Sequence, residues 1–323
     1  MGAPERQDFL PVDAMSAIAA PKGRIGTSDV NAMRYRFARM RDLDNYLGGA
    51  DTFRLYANEL MHAEHLLARC RYSETTGVAL ADLASEQAQQ AGWAAFDAGD
   101  SATARRLFAL SHRLAVDTGN TDLAANALIH TAYADATSEA MSAAKAAGQL
   151  ITGSTPPQTL ALLESRQAWS QAIAGNARDA EAALNRARHA FSERGEEPAP
   201  HWSAWINDTE LDIMAGRVWA VLREPSKAIP PLECALATFP NQWARDKALY
   251  LLFLADALTD AGNVDRAVAV VDEAVALAAA VASPRPINHA RNTARRLTEL
   301  GVPGAQPLAD KLGAITLPVH PAS

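Results

Sequence analysis

GWAAFDAGDSATARRLFALSHRLAV, residues Gly92 to Val116, reads as two short amphipathic helices joined by a tight turn. Gly92 stands where the first helix needs a small residue against its partner. Gly99 closes that helix, since glycine takes the turn conformation without steric cost. Ala104 is the small contact on the second helix and Phe108 its core plug. From Gly92 the spacings to these three are 7, 12 and 16 residues.

The same offsets recur in Ala168, Gly175, Ala180 and Leu184, in Gly216, Arg223, Ala228 and Leu232, and in Ala255, Gly262, Ala267 and Val271. A weaker set, Thr131, Ser138, Ala143 and Ala147, falls where a unit is needed between the first two. Repeats of this length are the mark of a solenoid. The second-helix alanines at 104, 143, 180, 228 and 267 are 39, 37, 48 and 39 residues apart. That is longer than the tetratricopeptide unit of about 34 residues. ERGEEPAPH, Glu193 to His201, accounts for the widest gap as a charged, proline-containing loop. Pro240 falls twelve residues after Ala228, where a proline ends a helix by withholding its backbone donor.

The expected architecture is all-α: a right-handed α-solenoid of tetratricopeptide-like helix pairs with helical caps at both ends. An N-terminal extension covers 1–27, cap helices 28–77, about five helix pairs 78–282, and a C-terminal cap helix with its tail 283–323. Asp29 to Tyr46 and Asp51 to Arg71 are the first cap helices. Pro286 to Leu300, stopped by Gly301, is the last, with the proline-rich tail lying along it or loose.

Composition agrees with this reading. The chain is 49% hydrophobic, 21% charged and only 6% aromatic, rich in the residues that favour helix and poor in strand-forming alternation. Cys70 and Cys234 lie far apart without ligand spacing and are expected as reduced, buried thiols. The longest apolar stretch, Ala267 to Ala282, carries Asp272 and Glu273, so no membrane span is expected. The first twenty residues carry Glu5, Asp8 and Asp13 and lack the pattern of a secretory signal, which points to the cytoplasm. A net charge of −7 opposes phosphate backbones and argues against DNA binding by this chain alone.

Four stretches carry a resemblance to a known family: RQDFL near the start, MRYRFARMRDLDNYLGG, RYSETTGVALADLASEQAQQAGWAAFDAGD and RDKALYLLFLADALTDAGNVDRA. The chain resembles the tetratricopeptide-like sensor region of actinobacterial helix-turn-helix regulators of the XRE type. That resemblance implies a non-catalytic sensing role with a peptide or protein ligand. Contact with DNA would come only through a helix-turn-helix domain absent from this chain, which has only Met1 to Glu5 before RQDFL. The expectation is either a fragment or a family member without a reading head. Self-association as a homodimer is expected from the open ends of a solenoid.

Binding in such arrays runs along the concave face formed by the first helix of each pair. On the repeat template, that face holds Trp93, Phe96 and Asp97 in the first unit and Trp169 and Ile173, with Ala172, in the next clear one. Arg217 and Asp256 follow at the tryptophan position, with Glu210 and Thr259 on the same faces. Trp93 and Trp169 are either anchors for a partner or filler of a narrow inner wall. Glu86, Gln89, Asp135 and Asn207 are candidates to hold a peptide backbone by hydrogen bonds, or are solvated groove residues.

Positive charge clusters at Lys22, Arg24, Arg34, Arg36, Arg39 and Arg41, as a solvated helix face or a support beside DNA. A constitutive scaffold or adaptor is the alternative to a sensor. For an enzyme, the only metal-like constellation is Glu59, His62 and His65 in NELMHAEH, and its spacing differs from that of the zinc proteases. Phosphate loops, nucleophile elbows and Cys/His pairs are absent from the sequence, so neither a cofactor nor catalysis is expected.

Overall fold

The computed structural model describes residues 23–42, 46–134, 138–279, 281 and 283–315. Lys22, Asp135, RQDFL and the last eight residues lie outside the described residues. Among those described there are fourteen helices and no strand. Two open the chain, α1 (Thr27–Arg41) and α2 (Gly49–Arg69). Five antiparallel pairs follow: α3 (Glu74–Asp97) with α4 (Ser101–Thr118), α5 (Thr121–Ala134) with α6 (Ser138–Leu150), α7 (Pro157–Ile173) with α8 (Ala177–Ser192), α9 (Asp208–Val221) with α10 (Pro225–Thr238), and α11 (Ala244–Asp260) with α12 (Val264–Ala278). The last pair is α13 (Pro284–Glu299) with α14 (Ala305–Gly313).

Local chemistry sets these boundaries. Ser73 accepts the Thr76 backbone N–H at 3.2 Å, and Asp100 Oδ1 accepts that of Thr103 at 2.9 Å, so both helices of the first pair begin on side-chain caps. At the other ends, Gly99, Gly175 and Gly262 close α3, α7 and α11 with φ of +90°, +78° and +76°. The fourth unit has Arg223 at that place, and it adopts the same left-handed backbone at φ 57°. The turn therefore belongs to the packing of the pair and is imposed on whatever residue stands there.

Within the pairs the small residues do what their spacing implies. A Cβ on Gly92 would come within 2.6 Å of the Phe108 ring, and one on Gly216 within 2.4 Å of Leu232 Cγ. Ala104, Phe108, Ala168, Ala180, Ala228, Leu232, Ala255, Ala267 and Val271 are all fully buried. The weak unit is shifted by one residue from its template. Ala132 and Ala144 are buried, twelve apart like Gly92 and Ala104, whereas Ala143 is only partly covered.

Consecutive first helices touch one another, α3 to α5, α5 to α7, α7 to α9, α9 to α11 and α11 to α13, and form a continuous inner layer. The layer curves tightly enough to meet itself. Ser283 Oγ donates to the Asp97 carbonyl at 3.3 Å, and Arg285 donates to Asp97 Oδ1 at 3.1 Å, joining α13 to the end of α3. An α-solenoid-like arrangement is therefore drawn round until its last inner helix contacts its first.

Three details depart from the sequence reading. Cys234 is exposed and Cys70 half-buried. In α10 the buried positions are Ala228, Leu232 and Ala235, and Cys234, two residues on from Leu232, turns to the opposite face. Residues 305–313 of the tail form α14, which packs against α13 and α12. The long connection after α8 buries Trp202 and Ile206 against the core, so much of it is a packed segment. Among the described residues no helix is long and apolar enough to cross a membrane.

Candidate ligand-binding inner face

Curvature brings aromatic side chains of consecutive inner helices into contact, and at Trp169 and Phe253 those of next-but-one helices. Trp93 of α3 lies 5.3 Å from Tyr133 of α5, ring centre to ring centre, and Tyr133 stacks on Trp169 of α7 at 5.3 Å. Trp169 then meets Phe253 of α11 edge-on at 5.7 Å, and Phe253 meets His289 of α13 at 4.8 Å. Arg285 of α13 closes the circuit, its guanidinium 5.2 Å from the Trp93 ring and 4.8 Å from Phe96. The one inner helix without an aromatic in this circuit, α9, supplies Arg217, stacked 4.6 Å over Trp169 and 4.9 Å over Phe253. Aromatic faces and guanidinium planes attract in this geometry through the ring quadrupole.

Three arginines gather around one phenol. Arg217 donates to the Tyr133 hydroxyl, with Arg166 of α7 centred 5.2 Å from the same ring and Arg285 close enough to act on it electrostatically. Burial alone would raise the Tyr133 pKa. The charges of Arg217, Arg285 and Arg166 outweigh it and bring the phenol down to about 8. Arg285 has Asp97 as its carboxylate partner. Among the described residues neither Arg166 nor Arg217 has one within ion-pair distance, and two buried atoms, Arg166 Nη1 and Arg217 Nε, make no hydrogen bond. Glu210 is the carboxylate whose charge acts on both. Its own pKa is raised to about 7 by burial and then by Asp246, so near neutrality it is only partly ionised.

Several candidate residues meet at this circuit. Trp93, Phe96, Trp169 and Arg217 line it, and Glu210 stands beside Arg166 and Arg217. Asp256 borders it, accepting His289 Nε2 at 2.6 Å and Thr293 Oγ1 at 2.8 Å. Asp97 has no exposed surface and is consumed by Gly49 N at 3.0 Å, Arg285 at 3.1 Å and Arg245 at 3.7 Å. Gln89 is occupied too: its amide donates to the Leu123 carbonyl at 3.1 Å and accepts from Asn126 at 2.6 Å, tying α3 to α5. Asn207 caps α9 by accepting the Glu210 N–H at 2.9 Å. Ile173 is exposed at the end of α7, away from the circuit's ring contacts. Asp135 lies outside the described residues.

Tyr133, Arg166, Phe253, Arg285 and His289 belong to the wall and were not singled out by the repeat template. The one-residue shift of the weak unit explains Tyr133. Counted from Ala132, it occupies the position of Trp93 and Trp169 in their units.

Two features lie elsewhere on the chain, the Glu59, His62 and His65 constellation and the basic run. Glu59 pairs with Arg36 at 2.7 Å, and among the described residues no three His, Cys, Asp or Glu side chains converge as ligands. The basic run is better compensated than its sequence suggests, since Arg36 meets Glu59 and Arg34 lies 3.6 Å from Glu86, carboxylates of α2 and α3. No protein-family model matches the chain, and neither does any curated protein.

Proposed function

We propose that this chain is a binding protein whose concave inner face receives a peptide or protein segment, as the sensing region of a transcriptional regulator. The observation that carries the reading is the inner circuit itself. Six first helices spend their facing positions on aromatic and arginine side chains, the types that dominate peptide and protein interfaces. Trp93, Phe96, Tyr133, Phe253 and His289 all keep part of their surface open to solvent. Arg217, only 5% exposed, fills the middle of the wall. The partner is therefore an extended segment lying against the face, not a helix passing through it.

The regulatory part of the proposal rests on the resemblance to XRE-type sensor regions carried by residues 33–49, 71–100 and 245–267. Calorimetry with pools of short peptides tests the binding reading. Wild type is expected to bind, and Trp93→Ala and Trp169→Ala to weaken binding by tenfold or more, since truncating an interface anchor costs about 2 kcal/mol or above. Binding untouched by both substitutions would remove the inner face as the site.

A further inference from the structure

We infer that Arg166 and Arg217 form an anion-binding subsite on the inner face, taking the carboxylate or phosphate group of a ligand whose apolar part lies on the aromatic wall. The inference rests on the reading of that face as a binding surface and names the chemistry it selects.

Its basis is charge accounting at short range. Among the described residues, the other buried or half-buried arginines of the inner layer have a carboxylate or backbone carbonyl as acceptor: Arg285 has Asp97 at 3.1 Å, Arg245 has Asp246 at 2.9 Å, Arg296 has Asp260, and Arg291 has the Leu312 and Ile315 carbonyls at 3.2 and 2.7 Å. Arg166 and Arg217 have instead a phenol, three aromatic faces and each other. A guanidinium carries five N–H donors, and burying donors without acceptors is costly. Here Arg217 Nε and Arg166 Nη1 are both buried and unbonded. Burial first, and also the neighbouring Arg217 charge, depress the Arg166 pKa, whereas against its burial the Tyr133 and Tyr250 hydroxyls and Glu210 raise that of Arg217.

Asp246, which acts on Glu210 and Tyr250, is engaged by Arg245 through Nε and Nη2, at 2.9 and 3.1 Å. Glu210 is the remaining acid, and it shares its charge with the Tyr250 hydroxyl. An oxyanion entering beside Tyr133 would supply the missing acceptors to both guanidiniums, in the forked geometry that arginine offers carboxylates and phosphates. The surroundings choose the rest of the ligand. Trp205, 40% exposed, and Tyr133 flank Arg166 at 5.6 and 5.2 Å, so a flat or apolar body attached to the anion has faces to rest on.

Tryptophan emission of the full chain, titrated with benzoate, phenyl phosphate and the uncharged benzamide, tests the subsite. Saturable quenching by benzoate or phenyl phosphate with none by benzamide is expected, and whichever anion binds tighter identifies the group the site prefers. Arg166→Gln is expected to weaken that binding tenfold or more while leaving the helical circular dichroism unchanged, because Arg166 is partly exposed and bonds no carboxylate. Tyr133→Phe serves as a second variant, expected to weaken binding three- to tenfold. Equal binding of benzamide, no saturation with either anion, or unaltered affinity in both variants would each overturn the subsite. Peptide binding that depends on Trp93 without any anion effect would discard the subsite and keep the inner face. Arg166-dependent anion binding with no peptide binding would keep the subsite and discard the peptide reading.

Discussion

Arg285 donates to Asp97 Oδ1 at 3.1 Å across 188 residues of sequence, and so joins the last inner helix to the first. Asp97 is fully buried, and Arg245 of α11 reaches the same carboxylate at 3.7 Å. The backbone N–H of Gly49 is a further donor at 3.0 Å. One carboxylate thus ties α2, α3, α11 and α13 together, and the curvature that brings Trp93 to Tyr133 and Trp169 to Phe253 depends on the span it closes.

Removing that carboxylate strands Arg285 and a buried backbone donor, and leaves Arg245 with Asp246 alone. Asp97→Ala is expected to lower unfolding stability by about 3–5 kcal/mol, the cost of breaking a buried charge pair from one side. Arg285→Ala costs less, about 1–2 kcal/mol, because its partner keeps two other donors. Urea denaturation gives both values, and small-angle scattering of Arg285→Ala should show a larger radius of gyration. An unchanged radius would mean that the curvature is set within the pairs alone.

Arg223 is the one non-glycine among the described residues with a left-handed backbone, at the position where other units carry glycine. It is exposed, so its side chain has little packing to lose. Arg223→Gly is expected to raise stability by about 0.5–1 kcal/mol, the relief of left-handed strain less the extra freedom glycine gives the unfolded chain. Thermal unfolding measures it; a lowered midpoint would show that Arg223 contributes through its side chain.

Glu86 is 8% exposed, and burial raises its pKa from 4.5 to about 7 against the opposing charge of Arg34. The folded chain therefore keeps a proton that the unfolded chain releases above 4.5. Stability from this group is fully present below pH 4.5 and is lost as pH rises through about 7. Glu86→Gln, which mimics the protonated form, should be more stable than wild type by about 1–3 kcal/mol at pH 8 and show no such gain at pH 4.5. Glu210 acts in the same direction. His130 acts in the other: burial lowers it from 6.5 to about 4, so its contribution is full above 6.5 and lost as pH falls through 4. Equal destabilisation of Glu86→Gln at both pH values would contradict this assignment.

The helix pairs were legible because the small residues and turns repeat, and a Cβ at Gly92 or Gly216 has nowhere to go. What the repeat could not convey was contact between units. The template places Trp93, Trp169 and Arg217 on one face but is silent on how sharply the face curves, and curvature is what sets Arg217 over Trp169. Asp97 and Gln89 looked like groove residues because they share that face, yet both are used up in bonds between helices. Tyr133 was hidden by the misregistered weak unit, and Arg285 and His289 by lying in a helix off the template. Glu59, His62 and His65 show the converse, since a suggestive spacing on one helix brings no ligand from another.

The most direct test of the inner face is hydrogen–deuterium exchange on the full chain with a peptide selected from a random pool on the immobilised protein. Protection is expected at the inner helices around residues 93, 133, 169, 217 and 253, with little change in α4, α8 and α10. Protection confined to those outer helices, or failure of the pool to yield any binder, would contradict the account.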